Sequence, residues 1–209
     1  MSDEMGILET IYNNRAMRRI KPDPVPKELL LKLIDAANQA PSGSNVQNGR
    51  WIVVTDPDQK ARLAELNKKA VDRYLERARA TSVEHQDDAK RQRMFDAVEW
   101  QAEHLHEIPA LVIACLEVGD PPDRFIVGAN AGGSIWPGVQ NLLLAARALG
   151  LGAAPTTLGL TDRDAVKEVL NLPDTIEAFC LIPVGYPMGK FGPVSRRPVE
   201  EIMRWDRWS

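Results

Sequence analysis

Two continuous apolar runs constrain the fold of this chain more than any other feature. Residues 110–118 and 178–184 are almost entirely apolar, as expected for strands buried on both faces. A third run, Trp51–Thr55, has the β-branched composition of a strand. Because these few strands are separated by helical stretches at irregular intervals, the sequence predicts an α+β fold. A length of 209 residues predicts a single domain over residues 1–209.

Helical periodicity and helix-end signals account for much of the remaining chain. Asp56-Pro57 predicts the start of a helix, because aspartate caps helix N-termini and proline suits the first helical position. Gly150 predicts the end of an earlier helix, because glycine tolerates a left-handed C-cap. The other predicted helices cover residues 5–14, 26–39, 134–149 and 161–171.

The segment from about Lys60 to Glu107 is a long polar excursion with equal numbers of basic and acidic residues. Mixed charges of this kind are typical of a solvated helical face. Apolar and aromatic residues are scattered through it, Tyr74, Phe95 and Trp100 among them, and they permit a second interpretation. On that interpretation the excursion is a helical lid that covers a pocket.

The overall charge and the chain termini limit the classes of partner. A formal net charge of -3 argues against a nucleic-acid-binding module, which generally carries a basic excess. Residues 1–4 are acidic where a signal peptide is basic, and the longest nearly uncharged stretch, 125–146, contains Asn, Gln and several glycines. We therefore expect a cytoplasmic protein without a membrane segment or a nucleic-acid partner.

The reactive residue types do not form a familiar catalytic site. His85, His104 and His106 lack metal-ligand spacing, and Cys115 and Cys180 lie inside apolar runs, where cysteine fills the core. The nucleophile elbow, the phosphate-binding loop and the dinucleotide fingerprint do not occur in the sequence. We therefore expect no metal, and an enzyme of this kind would take its reactivity from a bound cofactor.

Four separated segments offer the hydrogen-bond donors that a polar anionic ligand needs. The basic segment Arg15–Lys21 and the pair Arg196-Arg197 carry guanidinium groups, which bind phosphate through two parallel donors. Residues 41–47 and 155–158 are turn-rich and combine small polar side chains with exposed backbone donors. The alternative interpretations are that the arginines are ordinary surface charges and that the two turn-rich segments are connecting loops.

In this order and spacing, the segments resemble those of the FMN-dependent nitroreductase family, and the likeness covers nearly the whole chain. Four motifs carry it: RAMRRIKPDPVP at 15–26, APSGSNVQ at 40–47, SIWPGVQNLLLAARALGLG at 134–152, and VGYP at 184–187 with RRPVEE at 196–201. The resemblance implies a mixed sheet flanked by helices and an intertwined homodimer with two FMN sites at its interface.

The resemblance also implies the cofactor-binding residues. It assigns the FMN phosphate to Arg15 and Arg196, and the pyrimidine end of the flavin to Arg18, where a cation stabilises the anionic reduced ring. The other implied residues are Ala16 and Met17 through their backbone, Pro41, Ser42, Gly43 and Asn45 in a loop supplied by the partner subunit, and Pro155, Thr156, Thr157 and Leu158 at the flavin N5 edge.

The activity implied by the resemblance is hydride transfer from NADH or NADPH to FMN, followed by reduction of a small electron-poor acceptor. No protein acid or base is needed, so no catalytic residue is expected. The chain departs from the family pattern at Ala16, where serine is frequent, and at Asn48-Gly49, where proline and tryptophan are frequent. The alternatives are a reductive dehalogenase, a flavin-fragmenting enzyme, a deazaflavin binder, or a non-catalytic flavin-binding dimer.

Overall fold

The structure, a computed structural model, describes residues 5–81, 87–122 and 132–208. In these ranges the strands are Gly49–Val54 (β1), Ala110–Glu117 (β2), Gly152–Ala153 (β3) and Ile176–Gly185 (β4). None of the helices in these ranges has both the length and the apolar composition that a membrane span requires. The helices are Ile7–Asn13 (α1), Lys27–Asn38 (α2), Pro57–Arg79 (α3), Asp88–His104 (α4), Trp136–Ala148 (α5), Arg163–Leu170 (α6) and Val199–Ile202 (α7).

The four strands form one sheet in the order β1-β2-β4-β3. β2 is a central strand, paired with β1 on one edge and with β4 on the other. Helices pack on both sides of the sheet, so the apolar run of β2 is buried on both faces, as the sequence predicts. The α+β fold class is confirmed. The resemblance implies a mixed sheet, whereas every pair among the four described strands is antiparallel.

The path of the chain explains the antiparallel pairing of β1 and β2. The two helices that connect these strands, α3 and α4, run in opposite directions. Arg91 of α4 donates to the carbonyl of Ala78 near the end of α3, and Ala102 of α4 lines a small cavity with Ala64 near the start of α3. The chain therefore returns to the end of the sheet where β1 finishes. A parallel neighbour would need a crossover connection to the opposite end.

Two apolar cores lie on opposite faces of the sheet, because side chains alternate along each strand. On one face, Val112 of β2 shares a cluster with Leu142 of α5 and with residues of α2. On the other face, Ile113 shares a cluster with Leu63 of α3 and Val166 of α6. The result is a three-layer arrangement in which helices cover both faces of the sheet.

The polar excursion between Lys60 and Glu107 is the α3–α4 pair with a short turn after it. Its inner faces share a third apolar cluster, and its outer faces carry ion pairs such as Arg79–Glu99, with Nη2 and Oε2 3.0 Å apart. The solvated-face interpretation is therefore confirmed for the outer sides, and the inner cluster explains the scattered apolar residues. The cluster consists of Val71, Leu75, Phe95 and Ala102.

Helix ends follow the predicted capping chemistry with small shifts. The carboxylate of Asp56 accepts from the Gln59 amide at 2.9 Å, which confirms the predicted start of α3. Asp162 caps α6 inside the predicted 161–171 range. The helix predicted from residue 134 begins two residues later, because residues 132–135 form a turn in which Gly132 has a φ of +74°.

Candidate functional site

The basic segment Arg15–Lys21 lies along the β3 edge of the sheet. The amide of Met17 donates to the carbonyl of Ala153 in β3 at 3.0 Å. Met17 is buried, whereas Arg15 is exposed. The apolar residues therefore anchor the segment, and at least one guanidinium group stays at the surface.

Two glycines let this segment approach the sheet closely. A Cβ atom at Gly152 would lie 2.9 Å from the Cβ of Met17, and one at Gly185 would lie 2.5 Å from Cγ2 of Ile20. Contacts this short do not occur between real carbon atoms, so any larger residue at either position would displace the segment. Glycine at positions 152 and 185 therefore allows the basic segment, with its arginines, to lie close against the sheet.

The segment Pro155–Leu158 follows β3 directly and is thus held at the same edge. Thr156 forms a bridge with Leu181, since each amide donates to the other's carbonyl at 2.9 Å. The amide of Leu158 donates to Oγ1 of Thr156 at 3.3 Å. Among the described residues, the Thr157 amide donates to no acceptor. Thr157 therefore supplies the backbone donor of this segment that is available to a ligand.

The C-terminal stretch passes beside the basic segment. The amide of Val194 donates to the carbonyl of Tyr12 at 3.1 Å, and a Cβ atom at Gly192 would lie 3.9 Å from Nη1 of Arg15. Arg196 follows two residues later, and among the described residues its side chain donates only to the neighbouring carbonyl of Ser195, at 2.9 Å. In the described ranges neither Arg15 nor Arg196 forms a salt bridge.

Arg147 lies against the same stretch and was missed by the sequence analysis. Its guanidinium stands over the ring of Phe191, 4.2 Å from the centroid, and its buried Nε has no partner among the described residues. Buried guanidinium nitrogens are normally hydrogen-bonded, so this atom is available to an acceptor. The only signal in the sequence was an arginine in the last turn of an otherwise apolar helix.

Arg18 is a half-buried cation on the basic segment. Burial lowers its pKa, because the surrounding protein solvates the charge less well than water, and the nearby Tyr74 partly opposes this shift. An arginine remains protonated despite such a shift. Arg18 therefore offers a fixed, partly desolvated positive charge close to α3.

The loop at residues 41–47 lies at the opposite edge of the sheet, directly before β1. The amide of Gly43 donates to Oγ of Ser134 at 3.0 Å, and the amide of Gln47 donates to Oγ of Ser42 at 2.9 Å. Asn45 adopts a left-handed backbone with a φ of 54°. Within one chain the structure therefore brings together the predicted residues at 15–18, 155–158 and the stretch before 196, and leaves Pro41, Ser42, Gly43 and Asn45 apart from them.

Asn48, one of the departures from the family pattern, has a structural role. Its carbonyl accepts from the Glu117 amide at 2.9 Å, and its Nδ2 donates to the Glu117 carbonyl at 3.1 Å. These bonds extend the pairing of β1 with β2 by one residue. The side chain is buried and does not line the cleft described next.

A cleft of about 940 Å³ lies between α3 and the segment that follows Thr157. Arg73, Tyr74 and Arg77 of α3 form one wall, and Leu158 belongs to the other. Through Leu158 the cleft borders the predicted site segment at 155–158. The two arginines were not predicted as site residues, although their i, i+4 spacing on a helix predicts that they share a face.

The histidines and cysteines offer no alternative chemistry in the described part of the chain. The ring of His104 stacks on Trp100 at 4.2 Å, and its Nδ1 lies 2.8 Å from the carbonyl of the same residue. Burial raises the pKa of Cys115 and of Cys180 to about 12, so both remain thiols at neutral pH. No group of three or more potential metal ligands occurs among the described residues, and His85 lies outside them.

The nitroreductase family model matches residues 11–186. The chain belongs to the nitroreductase family. The match includes the basic segment, the loop at 41–47, the α3–α4 pair and the segment at 155–158, and it ends before Arg196. The resemblance in the sequence is therefore confirmed at the level of the family.

Individual relatives of this nitroreductase-family chain are similar over most of its length. Iodotyrosine deiodinase from Thermotoga neapolitana is 30% identical over 173 residues, which cover 83% of this chain and 84% of the relative. NADH dehydrogenase from Thermus thermophilus is 31% identical over 201 residues, which cover 91% of each. A crystal structure of iodotyrosine deiodinase bound to FMN and 3-iodo-L-tyrosine is 25% identical, with a TM-score of 0.75, and the match covers 97% of this chain and all of that one.

Proposed function

We propose that the chain is an FMN-dependent oxidoreductase that passes electrons from NADH or NADPH to a small electron-poor acceptor. When bound, FMN supplies a ring that takes up hydride and releases two electrons to a second molecule. The observation that carries the proposal is the convergence of Arg15, Arg18 and the 155–158 segment at one edge of the sheet, in a chain of the nitroreductase family.

The residues near the C-terminal stretch fit a phosphate dianion. Arg15 and Arg196 have no carboxylate partner in the described ranges, and Arg147 contributes a buried nitrogen that lacks an acceptor. Guanidinium groups bind phosphate through paired, charge-assisted hydrogen bonds. In this proposal Arg15 and Arg196 hold the FMN phosphate, and the backbone of Ala16 and Met17 supports the same turn.

The residues toward α3 fit the ring of the cofactor. Arg18 places a positive charge where the pyrimidine end is assigned, which favours the anionic reduced form. The Thr157 amide is the donor assigned to N5, because both main-chain groups of Thr156 are occupied by Leu181. Pro155 and Leu158 lie on either side of this donor in the segment.

The loop residues Pro41, Ser42, Gly43 and Asn45 are assigned to the FMN site of the other subunit in a homodimer. Support comes from their position beside β1, at the sheet edge opposite the basic segment. A twin chain that brings its own β1 edge to this β3 edge would complete two identical sites. Each site would then contain side chains from both subunits.

The α3–α4 pair is assigned to the acceptor side of the site, as the lid predicted from the sequence. The support for this role is the cleft at Arg73, Tyr74 and Arg77, which opens beside Leu158. Nζ of Lys60, near the start of α3, donates to the carbonyl of Ile108, just after the pair, at 2.8 Å. This bond does not involve the far ends of the two helices, so their sequences can differ.

Reductive dehalogenation is the second candidate function, because a relative that is 30% identical is an iodotyrosine deiodinase. Both candidates need the same phosphate and ring contacts, and they differ in the acceptor. Iodide release from 3-iodotyrosine and loss of nitro absorbance from 4-nitrobenzamide, measured with the same reduced enzyme, separate them. The substrate with the higher kcat/KM identifies the class.

The decisive experiment is purification of the full chain, identification of its chromophore by mass, and anaerobic titration with NADH and with NADPH. We expect FMN, bleached by at least one nicotinamide and reoxidised by the acceptor. A deazaflavin mass or a flavin that neither nicotinamide bleaches would contradict the proposal. A colourless protein that cannot be reconstituted with FMN would refute the proposed function.

The phosphate assignment has a matched control in the neighbouring arginine. We expect Arg15→Ala combined with Arg196→Ala to lower the flavin content at least tenfold, since each charge-assisted contact is worth about 1.5–3 kcal/mol. Arg197→Ala should keep it, because Arg197 pairs with Glu201, with Nε and Oε2 3.0 Å apart. A double variant that purifies with full flavin would refute the assignment.

A further inference from the structure

We infer that the cleft on α3 selects anionic ligands, with Arg73 and Arg77 binding the charged group of the molecule that exchanges electrons with the flavin. The inference rests on the proposed function, because it takes this cleft as the entry for that molecule. Two chemical sources carry such a group: the 2′-phosphate of NADPH, and the carboxylate of an aromatic acceptor.

The two arginines stand one helical turn apart on α3 and face the same cleft. Nε of Arg73 donates to the carbonyl of Lys69 at 3.2 Å, which steadies the guanidinium and leaves its two terminal amino groups free. Arg77 donates to no acceptor among the described residues. Together they present adjacent guanidinium forks, which suit a carboxylate or a phosphate.

Other arginines of α3 differ from this pair in their partners. Arg62 lies 2.6 Å from Oε1 of Glu168 and Arg79 lies 3.0 Å from Oε2 of Glu99, so both are neutralised by a carboxylate. Arg73 and Arg77 have no carboxylate partner in the described ranges. These two guanidinium groups on the wall of the cleft are therefore available to a bound anion.

The cleft also contains two aspartates, and neither forms a salt bridge with Arg73 or Arg77 among the described residues. The carboxylate of Asp162 accepts from the Ala165 amide at 3.2 Å and caps α6, which leaves Asp164 as the uncommitted acid. Arg163 also lines the cleft, and its Nε lies 3.3 Å from Oε1 of Glu177. The side chains that line the cleft thus include three arginines and two aspartates.

The remaining lining suits a flat ring beside the charged group. Tyr74 is 37% exposed, between the two arginines in sequence, and Leu158 lies opposite it. A volume of about 940 Å³ is within the usual range for small-molecule sites. An aromatic or nicotinamide ring in contact with Tyr74 and Leu158 would place its anionic substituent near Arg73 and Arg77.

The test compares anionic probes with neutral probes of the same shape. Benzoate and benzamide, and adenosine 2′-phosphate and adenosine, are titrated calorimetrically into the flavin-loaded protein. The variants are Arg73→Gln with Arg77→Gln, which together remove two charges from the cleft, and the control Arg62→Gln, which removes one charge from the same helix outside it. All three positions are exposed, so the variants should keep their flavin content.

We expect the double variant to weaken the binding of at least one anionic probe about tenfold, the loss of one charge-assisted contact. Neutral probes and the control should change less than twofold. A loss confined to adenosine 2′-phosphate identifies NADPH as the source of the anion, and a loss confined to benzoate identifies the acceptor. Unchanged binding of both anions, or equal losses for the neutral probes, would overturn the inference.

Flavin reduction separates a failure of this inference from a failure of the proposed function. If NADH or NADPH bleaches the flavin and the double variant binds both anions like the wild type, the proposed function stands and the inference fails. If neither nicotinamide bleaches the flavin and anion binding still depends on Arg73 and Arg77, the anion site stands and the function fails.

Discussion

Two cysteine side chains lie at the centre of the sheet, one in β2 and one in β4. Cys115 and Cys180 are fully buried, and burial raises the pKa of each thiol to about 12. In the unfolded chain the same thiols ionise near pH 8.5. Folding therefore keeps a proton that the unfolded state loses, and the folded state is penalised as the pH rises above this value.

We expect the free energy of unfolding to fall between pH 9 and 11 by about 1.4 kcal/mol per pH unit for each thiol. Urea titrations of the wild type and of Cys115→Ala with Cys180→Ala measure this, because the variant lacks both thiols and should show the smaller slope. Below pH 8 the free energy of unfolding should change with pH in the same way for the wild type and the variant. Equal slopes above pH 9 would contradict the buried-thiol assignment.

Asn48 belongs to the pairing of β1 with β2 and not to a pocket. We expect Asn48→Ala to lower the free energy of unfolding by about 1 kcal/mol, the net value of one hydrogen bond, and to leave the KM of the acceptor unchanged. Asn13→Ala is the control, because Asn13 makes an exposed bond to the Glu9 carbonyl at 2.9 Å. A raised KM without loss of stability would place Asn48 in the substrate site.

At the scale of single residues, local chemistry was predictable and distant pairing was not. The cap at Asp56 and the buried cysteines followed from their sequence neighbours alone. The role of Asn48 depends on Glu117, a residue far along the chain that only the sheet register brings close. Arg73 and Arg77 were hidden for a similar reason, since their lack of partners appears only when the neighbouring elements are placed.

The close approach of the basic segment to β3 is the element-scale feature on which the proposed site depends. We expect Gly152→Ala to lower stability by about 1–3 kcal/mol, as overpacking does, and to reduce flavin content, because the new methyl group would collide with Met17 and Pro187. Thermal unfolding and the flavin-to-protein absorbance ratio measure both effects.

Gly6→Ala provides the control for this substitution, because a Cβ atom at Gly6 meets nothing within 4 Å. The control should keep both its melting temperature and its flavin. If Gly152→Ala behaved like Gly6→Ala, the basic segment would not depend on its contact with β3, and the position of Arg15 would need another explanation.

Among elements, the long ones were predictable and the shortest strand was not. β2 and β4 are continuous apolar runs, and α2 and α5 have clear helical periodicity, so composition and spacing identified them. β3 has two residues and no periodicity, so only its pairing with β4 defines it. The two helices between β1 and β2 were predicted as one excursion, because nothing local fixed the turn between them.

Several large apolar side chains at the chain ends remain uncovered in the isolated chain. Trp205 and Trp208 are each 80% exposed, and Leu8 and Tyr12 of α1 are each 65% exposed. Large apolar side chains that are this exposed are typical of an association site. This exposure supports the proposed homodimer, in which the loop at 41–47 reaches the twin's cofactor site.

We expect the wild type to sediment as a dimer, and Trp205→Ser with Trp208→Ser to shift it toward monomer with a lower flavin content. The circular dichroism should stay the same, because both side chains make few contacts within their own chain. Sedimentation equilibrium and flavin absorbance measure the outcome. A wild-type monomer with full flavin would contradict the shared site.

For the molecule as a whole, the order of the motifs was sufficient to predict the family, and the distribution of the site over two chains came from the resemblance alone. Within one chain the sequence could not show that the loop at 41–47 and the basic segment lie at opposite sheet edges. That separation depends on the strand order β1-β2-β4-β3, which pairs residues distant in sequence.

The bond between Lys60 and the Ile108 carbonyl fastens both ends of the α3–α4 pair at a single point beside the sheet. Because both ends of the pair lie at that point, its length and outer surface can change while the β1–β2 register and the position of Arg15 stay the same. The solvent-facing sides of the two helices can thus change, and with them the preference for an acceptor, while buried contacts such as that of Leu63 with the sheet stay in place.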